Sequence, residues 1–262
     1  MKRLSGVCLA GLLCLGFSQP GFADTNFDVL AGTDYFVTQP GTVFDGVAFK
    51  GVPTGPGGSD TIVERTSNVA LGTGSGGVGT TPLFLTQLEL VSAAPTNFGL
   101  GVGFYYITLQ SNRLGGGTAS TGTMTIDLAG GDDHTPAVPE GIFTSSLDVF
   151  FDVRFGSATG AIAQSSDLVL TNSGTSWDAN PTPSDILVPG LVGDLTANIH
   201  TNKVQNVDIN QMDFFPVNAF SETGPGGVDV HTVSNVSTPE PGTMPLIGGA
   251  LLALLCERRR VV

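Results

Sequence analysis

The sequence predicts an all-β protein, an antiparallel β-sandwich of jelly-roll or immunoglobulin-like topology with removable helical segments at both ends. Three observations carry this. Glycine is 37 of 262 residues, about twice the usual share of roughly 7%. Charged residues are only 13%, about half the usual roughly 25%. Such a chain, rich in Gly, Thr, Val and Phe, is poor helix material and good strand-and-turn material. Finally, short candidate strands recur between turn signals, and no helical periodicity is visible between residues 24 and 238.

The first 23 residues read as a secretory signal. Lys2 and Arg3 form a basic start, Leu4 to Phe17 is uncharged and apolar, and Gly21-Phe22-Ala23 places small residues for cleavage between Ala23 and Asp24. Cys8 and Cys14 follow Val7 and Leu13, where a lipoprotein signal needs a small residue, so an ordinary signal is the reading.

Residues 24–233 read as the β-domain. Val43 to Phe49 alternates and ends at Gly51-Val52-Pro53. Asp60 to Arg65 is a short extended piece, and Gly72 to Thr80 is a Gly/Ser/Thr loop. Leu83 to Val91, Gly101 to Leu109 and Gly122 to Leu128 are the next strands, and Gly130 to Pro139 is a loop. The clearest strand is Ser146 to Phe155. Leu147, Val149, Phe151, Val153 and Phe155 share one face; Asp148, Phe150, Asp152 and Arg154 share the other, so one face is core and the other mostly wet. Asp167 to Thr171 is a further strand, and Asn172 to Pro189 is a polar, Pro-rich stretch with the sole tryptophan, Trp177. Leu195 to His200 and Val228 to Val233 are weaker strands. Thr54-Gly-Pro-Gly-Gly58 recurs as Thr223-Gly-Pro-Gly-Gly227, read as turn chemistry arising twice because the flanks do not align.

Residues 234–238 are a spacer before a tail, 239–262, of distinctive order. Pro239-Glu240-Pro241 is followed by an apolar run from Met244 to Cys256 and then by Glu257, Arg258, Arg259 and Arg260. The two prolines hold the motif extended and exposed. The apolar run of 13 residues is about 20 Å long as a helix, short against a hydrocarbon core of about 30 Å. It suits transient insertion better than a stable span, with the arginines as a cytoplasmic stop. The order of motif, apolar run and basic cluster resembles the PEP-CTERM sorting signal of bacterial exported proteins. The resemblance covers about a tenth of the chain. It implies cleavage at the motif by an exosortase-type membrane protease, then delivery to the cell surface or to an extracellular, exopolysaccharide-bearing matrix. A plain membrane anchor is the alternative reading of the same residues.

Trimming both ends changes the composition. Cys8, Cys14 and Cys256 all lie in the segments removed, so the mature chain carries no disulfide, thiolate metal site or cysteine nucleophile. Five of the ten basic residues go, but only one or two of the 23 acidic ones, leaving a net charge of −17 or −16. Such a field repels nucleic acid and anionic lipid.

Chemistry-bearing motifs are sparse. His134, His200 and His231 form no HExxH-type pair, and there is no G-x-S-x-G elbow. Asp148 and Asp152 read as a solvent-facing strand surface. Calcium is the best-fitting cofactor, with candidate ligands Asp132 and Asp133 in a Gly-flanked loop and Asp208, Asn210 and Asp213 in an Asp-x-Asn loop. The chain therefore reads as a non-enzyme, a surface or matrix protein with a structural or adhesive role. The alternative is a carbohydrate-binding β-sandwich with Tyr105, Tyr106 or Trp177 as its aromatic platform, or less readily a carbohydrate hydrolase.

Overall fold

The computed structural model describes residues 27–72, 77–128, 140–179 and 211–235. In chain order the strands are β1 (Phe27–Val29), β2 (Gly32–Thr38), β3 (Val43–Phe44), β4 (Val47–Gly51), β5 (Thr61–Arg65), β6 (Val69–Leu71), β7 (Val78–Ser92) and β8 (Tyr105–Leu109). They continue as β9 (Ser120–Asp127), β10 (Glu140–Phe155), β11 (Ala161–Asp178), β12 (Gln211–Met212), β13 (Phe215–Pro216), β14 (Phe220–Thr223) and β15 (Val230–Asn235). The protein is all-β, as its composition predicts. The candidate strand Leu195 to His200 lies outside the described residues.

The pairings form a ring where two separate sheets were expected. β2, β5, β7, β9, β10, β11, β14 and β15 pair in that order, every pair antiparallel, and β15 returns to β2. Neighbours around the ring follow chain order, which makes an up-and-down barrel and not a Greek key of jelly-roll or immunoglobulin kind. Closure leaves no free sheet edge along the paired stretches. The long strands make a second tier: β8 replaces β9 between β7 and β10, and the β3–β4 hairpin replaces β2 and β5 between β15 and β7. A small separate sheet runs β12-β1-β6, with β1 and β12 parallel.

Alternation decides what faces inward. On β10, Phe143, Ser145, Leu147, Val149, Phe151 and Val153 are buried. On β7 the buried leucines switch phase, Leu83 and Leu85 being odd and Leu88 and Leu90 even. One extra residue absorbs the switch: Ile62 pairs with Gln87 and Val63 with Leu85, so Thr86 is a bulge, and its hydroxyl donates to the Ile62 carbonyl at 3.2 Å. The stretch Val43 to Phe49 is two strands, not one. Asp45 (φ 47°) and Gly46 (φ 72°) form the left-handed turn of a tight hairpin.

The two Thr-Gly-Pro-Gly-Gly copies adopt the same single 3-10 turn, Pro56–Gly58 and Pro225–Gly227, with the central glycines at φ 65° and 77°. The aspartates that follow them differ in duty. Asp60 is buried, whereas Asp229 accepts the backbone N–H of Asp45 at 2.8 Å.

Candidate functional site

Most residues singled out by sequence lie outside the described residues: Ala23, Asp24, Asp132, Asp133, Asp208, Asn210, Pro239, Glu240, Pro241, Arg258, Arg259 and Arg260, and the histidines His134 and His200. Asp213 is described, between β12 and β13, and faces Arg65. Among the described residues no group of three or more His, Cys, Asp or Glu side chains is placed to hold a metal ion. No helix there is long and apolar enough to cross a membrane.

The aromatic platform is corrected by burial. Trp177 and Tyr105 are both 0% exposed. Trp177 stacks on Phe214 with ring centroids 5.6 Å apart, and Tyr105 donates its hydroxyl to the Gly101 carbonyl at 2.7 Å. Neither can offer a face to a sugar. Tyr106 is half-buried on the outer side of β8.

Arg65 organises a buried ionic group. It ends β5, and its guanidinium meets Asp34 of β2 through Nε (2.8 Å) and Nη2 (3.2 Å), Asp213 through Nη2 (3.4 Å) and the Leu30 carbonyl through Nη1 (2.6 Å). Its Cζ lies 5.2 Å from the Phe214 ring centroid. All three charged side chains are almost wholly buried. Two carboxyls share one cation, and Asp213 Oδ2 has no hydrogen-bond partner. Burial, with the nearby Asp34 charge, holds the Asp213 carboxyl well above the usual carboxylate range despite the pull of Arg65. The group pins β2, β5 and the β12–β13 segment together.

A second polar chain crosses the barrel interior. Asp60 accepts from the Thr38 backbone (2.9 Å), the Thr38 hydroxyl (2.5 Å) and the Thr61 hydroxyl (2.9 Å). Thr38 Oγ1 thus gives its proton to Asp60 and accepts from His231 Nε2 at 3.2 Å. His231 Nδ1 is 3.7 Å from Glu222, which accepts from Ser145 at 3.2 Å. The order hydroxyl, imidazole, carboxylate has the connectivity of a hydrolytic triad. The Thr38 proton is already committed to Asp60, however, and the chain borders an apolar interior cavity of about 60 Å³. Its evident work is to satisfy buried groups.

Gly51 gives that chain its room. A Cβ at Gly51 would come 1.8 Å from Asp60 Oδ2, and Asp60 is fixed by its three donors. Gly51→Ala is expected to cost about 1–3 kcal/mol through overpacking. Thermal unfolding checks this, at about 2–4 °C per kcal/mol for a chain of this size.

Asp152 is not a solvent-facing strand residue. It is 0% exposed beneath Arg113 and Arg154, accepting from Arg113 Nε (2.9 Å) and Nη2, from Arg154 Nη2 (2.7 Å) and from Ser165 (2.8 Å). Burial pushes its carboxyl up, but the hydrogen bonds from Arg113 and Ser165 and the charges of both arginines outweigh that and hold it below the usual range. These contacts tie the segment after β8 to β10 and β11.

The open concave site is at the barrel seam. β11 contributes Thr171, Asn172, Ser173, Thr175 and Ser176; the facing segment contributes Asn218, Ser221 and Thr223. Ala219 and Phe220 are the apolar part of the lining. The cleft is about 370 Å³, a small-molecule size. Among the described residues no charged side chain lines it, although the chain has 23 acidic residues. Sequence reading missed this site because its two walls are distant in the chain and each looks like ordinary turn composition.

No family model matches the sequence, and no curated protein or solved structure matches it either.

Proposed function

We propose that this is an exported, exosortase-processed protein of the bacterial surface or exopolysaccharide matrix, with a structural or adhesive role. The observation that carries the reading is the succession Pro239-Glu240-Pro241, an uncharged apolar run, and Arg258 to Arg260. The prolines present an extended backbone to a protease, the run enters lipid, and the arginines stay on the cytoplasmic side. The barrel supports the reading as a carrier: its buried side chains form one continuous core around a small apolar cavity, with no cysteine between residues 24 and 238.

Placement of the motif adds a constraint. β15 ends at Asn235, four residues before Pro239, so the motif lies within about 14 Å of the barrel along the chain. The protease would work close to the folded domain, and the ring could not close until β15 had been exported.

Glu240→Ala tests the reading. Export should proceed, and the protein should accumulate in the membrane fraction with its arginines attached. Normal release of the variant would count against motif-dependent cleavage.

A further inference from the structure

The barrel wall has a gap at the seam cleft. β11 pairs with β14 at Thr171↔Thr223 and with β13 at Trp177↔Pro216 and Asp178↔Phe215. The Val217 N–H adds one bond to the Ser176 carbonyl at 3.0 Å. Between these points, from Asn172 to Thr175, β11 keeps β10 on one side and meets no paired strand on the other among the described residues. A bend at Val217 and Asn218 spans the gap without laddering.

β11 also bulges at this point. Ser173 pairs with Thr144 and Thr175 with Phe143, leaving Gly174 (φ 82°) as the extra residue. A regular strand turns alternate side chains to opposite faces. The bulge breaks that alternation, so Asn172, Ser173, Thr175 and Ser176 all border the cleft. Asn172 is held in place: its Nδ2 donates to the Phe143 carbonyl at 3.3 Å, and its Oδ1 accepts from Thr175 at 2.7 Å.

We propose that this cleft is a subsite for a neutral saccharide unit. The chemistry selects the class. Hydroxyls and amides offer donors and acceptors in mixed order, as a polyhydroxylated ring does, and among the described residues no cation lines the cleft to attract uronate or phosphate. The strongly acidic protein around it repels anions further. An extended peptide adding to the edge of β11 is disfavoured: the bulge twists the edge, and β13 and β14 close both ends of the gap. The inference rests on the proposed surface role for the source of the sugar, a polysaccharide chain outside the cell.

The test uses the full chain in mild detergent on an array of neutral hexose oligosaccharides (glucans, mannans and galactans), uronic-acid polymers and extended peptides. Saturable retention of a neutral oligosaccharide is expected. Asn218→Ala and Ser173→Ala, both at exposed positions, should each weaken it about threefold to tenfold, the loss of one hydrogen bond. Melting curves confirm that each variant is folded, and either one suffices. Retention of no neutral saccharide, a preference for uronates or peptides, or unchanged affinity in the folded variants overturns the proposal. Glu240→Ala should bind sugar as the wild type does, so failure of the subsite and failure of the sorting reading are separable.

Discussion

Arg65→Ala is expected to destabilise the protein by about 3–5 kcal/mol, because it strands two carboxyls in the barrel wall. Total stabilities are about 5–15 kcal/mol, so the variant should be marginal at neutral pH in urea or thermal unfolding. The cost should shrink in acid, where the Asp213 carboxyl is neutral. Asp213→Asn should do the reverse. The folded-state pKa of Asp213 lies above its unfolded value, so its contribution is fully present below the ordinary carboxylate pKa and is lost as pH rises through the folded value. Asparagine keeps the shape and removes that loss, so Asp213→Asn should be the more stable protein at neutral and alkaline pH. Asp152 works in the opposite sense. Its lowered pKa gives stability above the unfolded value that disappears as pH falls through the folded one. Unfolding midpoints across pH for the wild type and Asp213→Asn check the sign, and equal pH slopes would refute the assignment.

Trp177→Ala is the second large effect, at about 3–5 kcal/mol. The indole is fully buried and stacked on Phe214, which packs edge-on to Phe143, which in turn meets Phe220 the same way. Truncation leaves a large void at one end of this aromatic column, against Phe214. Because Trp177 is the sole tryptophan, native emission should be blue-shifted and should move to the red in one step on unfolding. Red-shifted emission from the native protein would show that the indole is in water, and the packing described for β11 and β13 would be wrong.

The composition and the alternation of Ser146 to Phe155 made the all-β class legible, because period-two burial is a local property. The hairpin at Asp45-Gly46 escaped because the alternation of Val43 to Phe49 runs through the turn and reads as one continuous strand. Ring closure was not legible. The β2–β15 pairing joins residues near opposite ends of the domain, and no local pattern encodes a partner that distant. The Arg65 group escaped for the same reason, its carboxyls lying 31 and 148 residues away in the chain. Trp177 was misplaced because Ser176 and Asp178 beside it have loop composition, whereas β11 simply continues through them. The sorting motif is linear and could be read directly. The seam cleft exists only after β11 and the β13–β14 bend are brought together.

The intact mass of the protein recovered from the cell exterior tests the central claim most directly. The account predicts a polypeptide that begins at Asp24 and ends at the Pro239-Glu240-Pro241 motif, having lost Arg258, Arg259 and Arg260. An extracellular protein that still carries those arginines, or a protein found only in the cytosol, would contradict it.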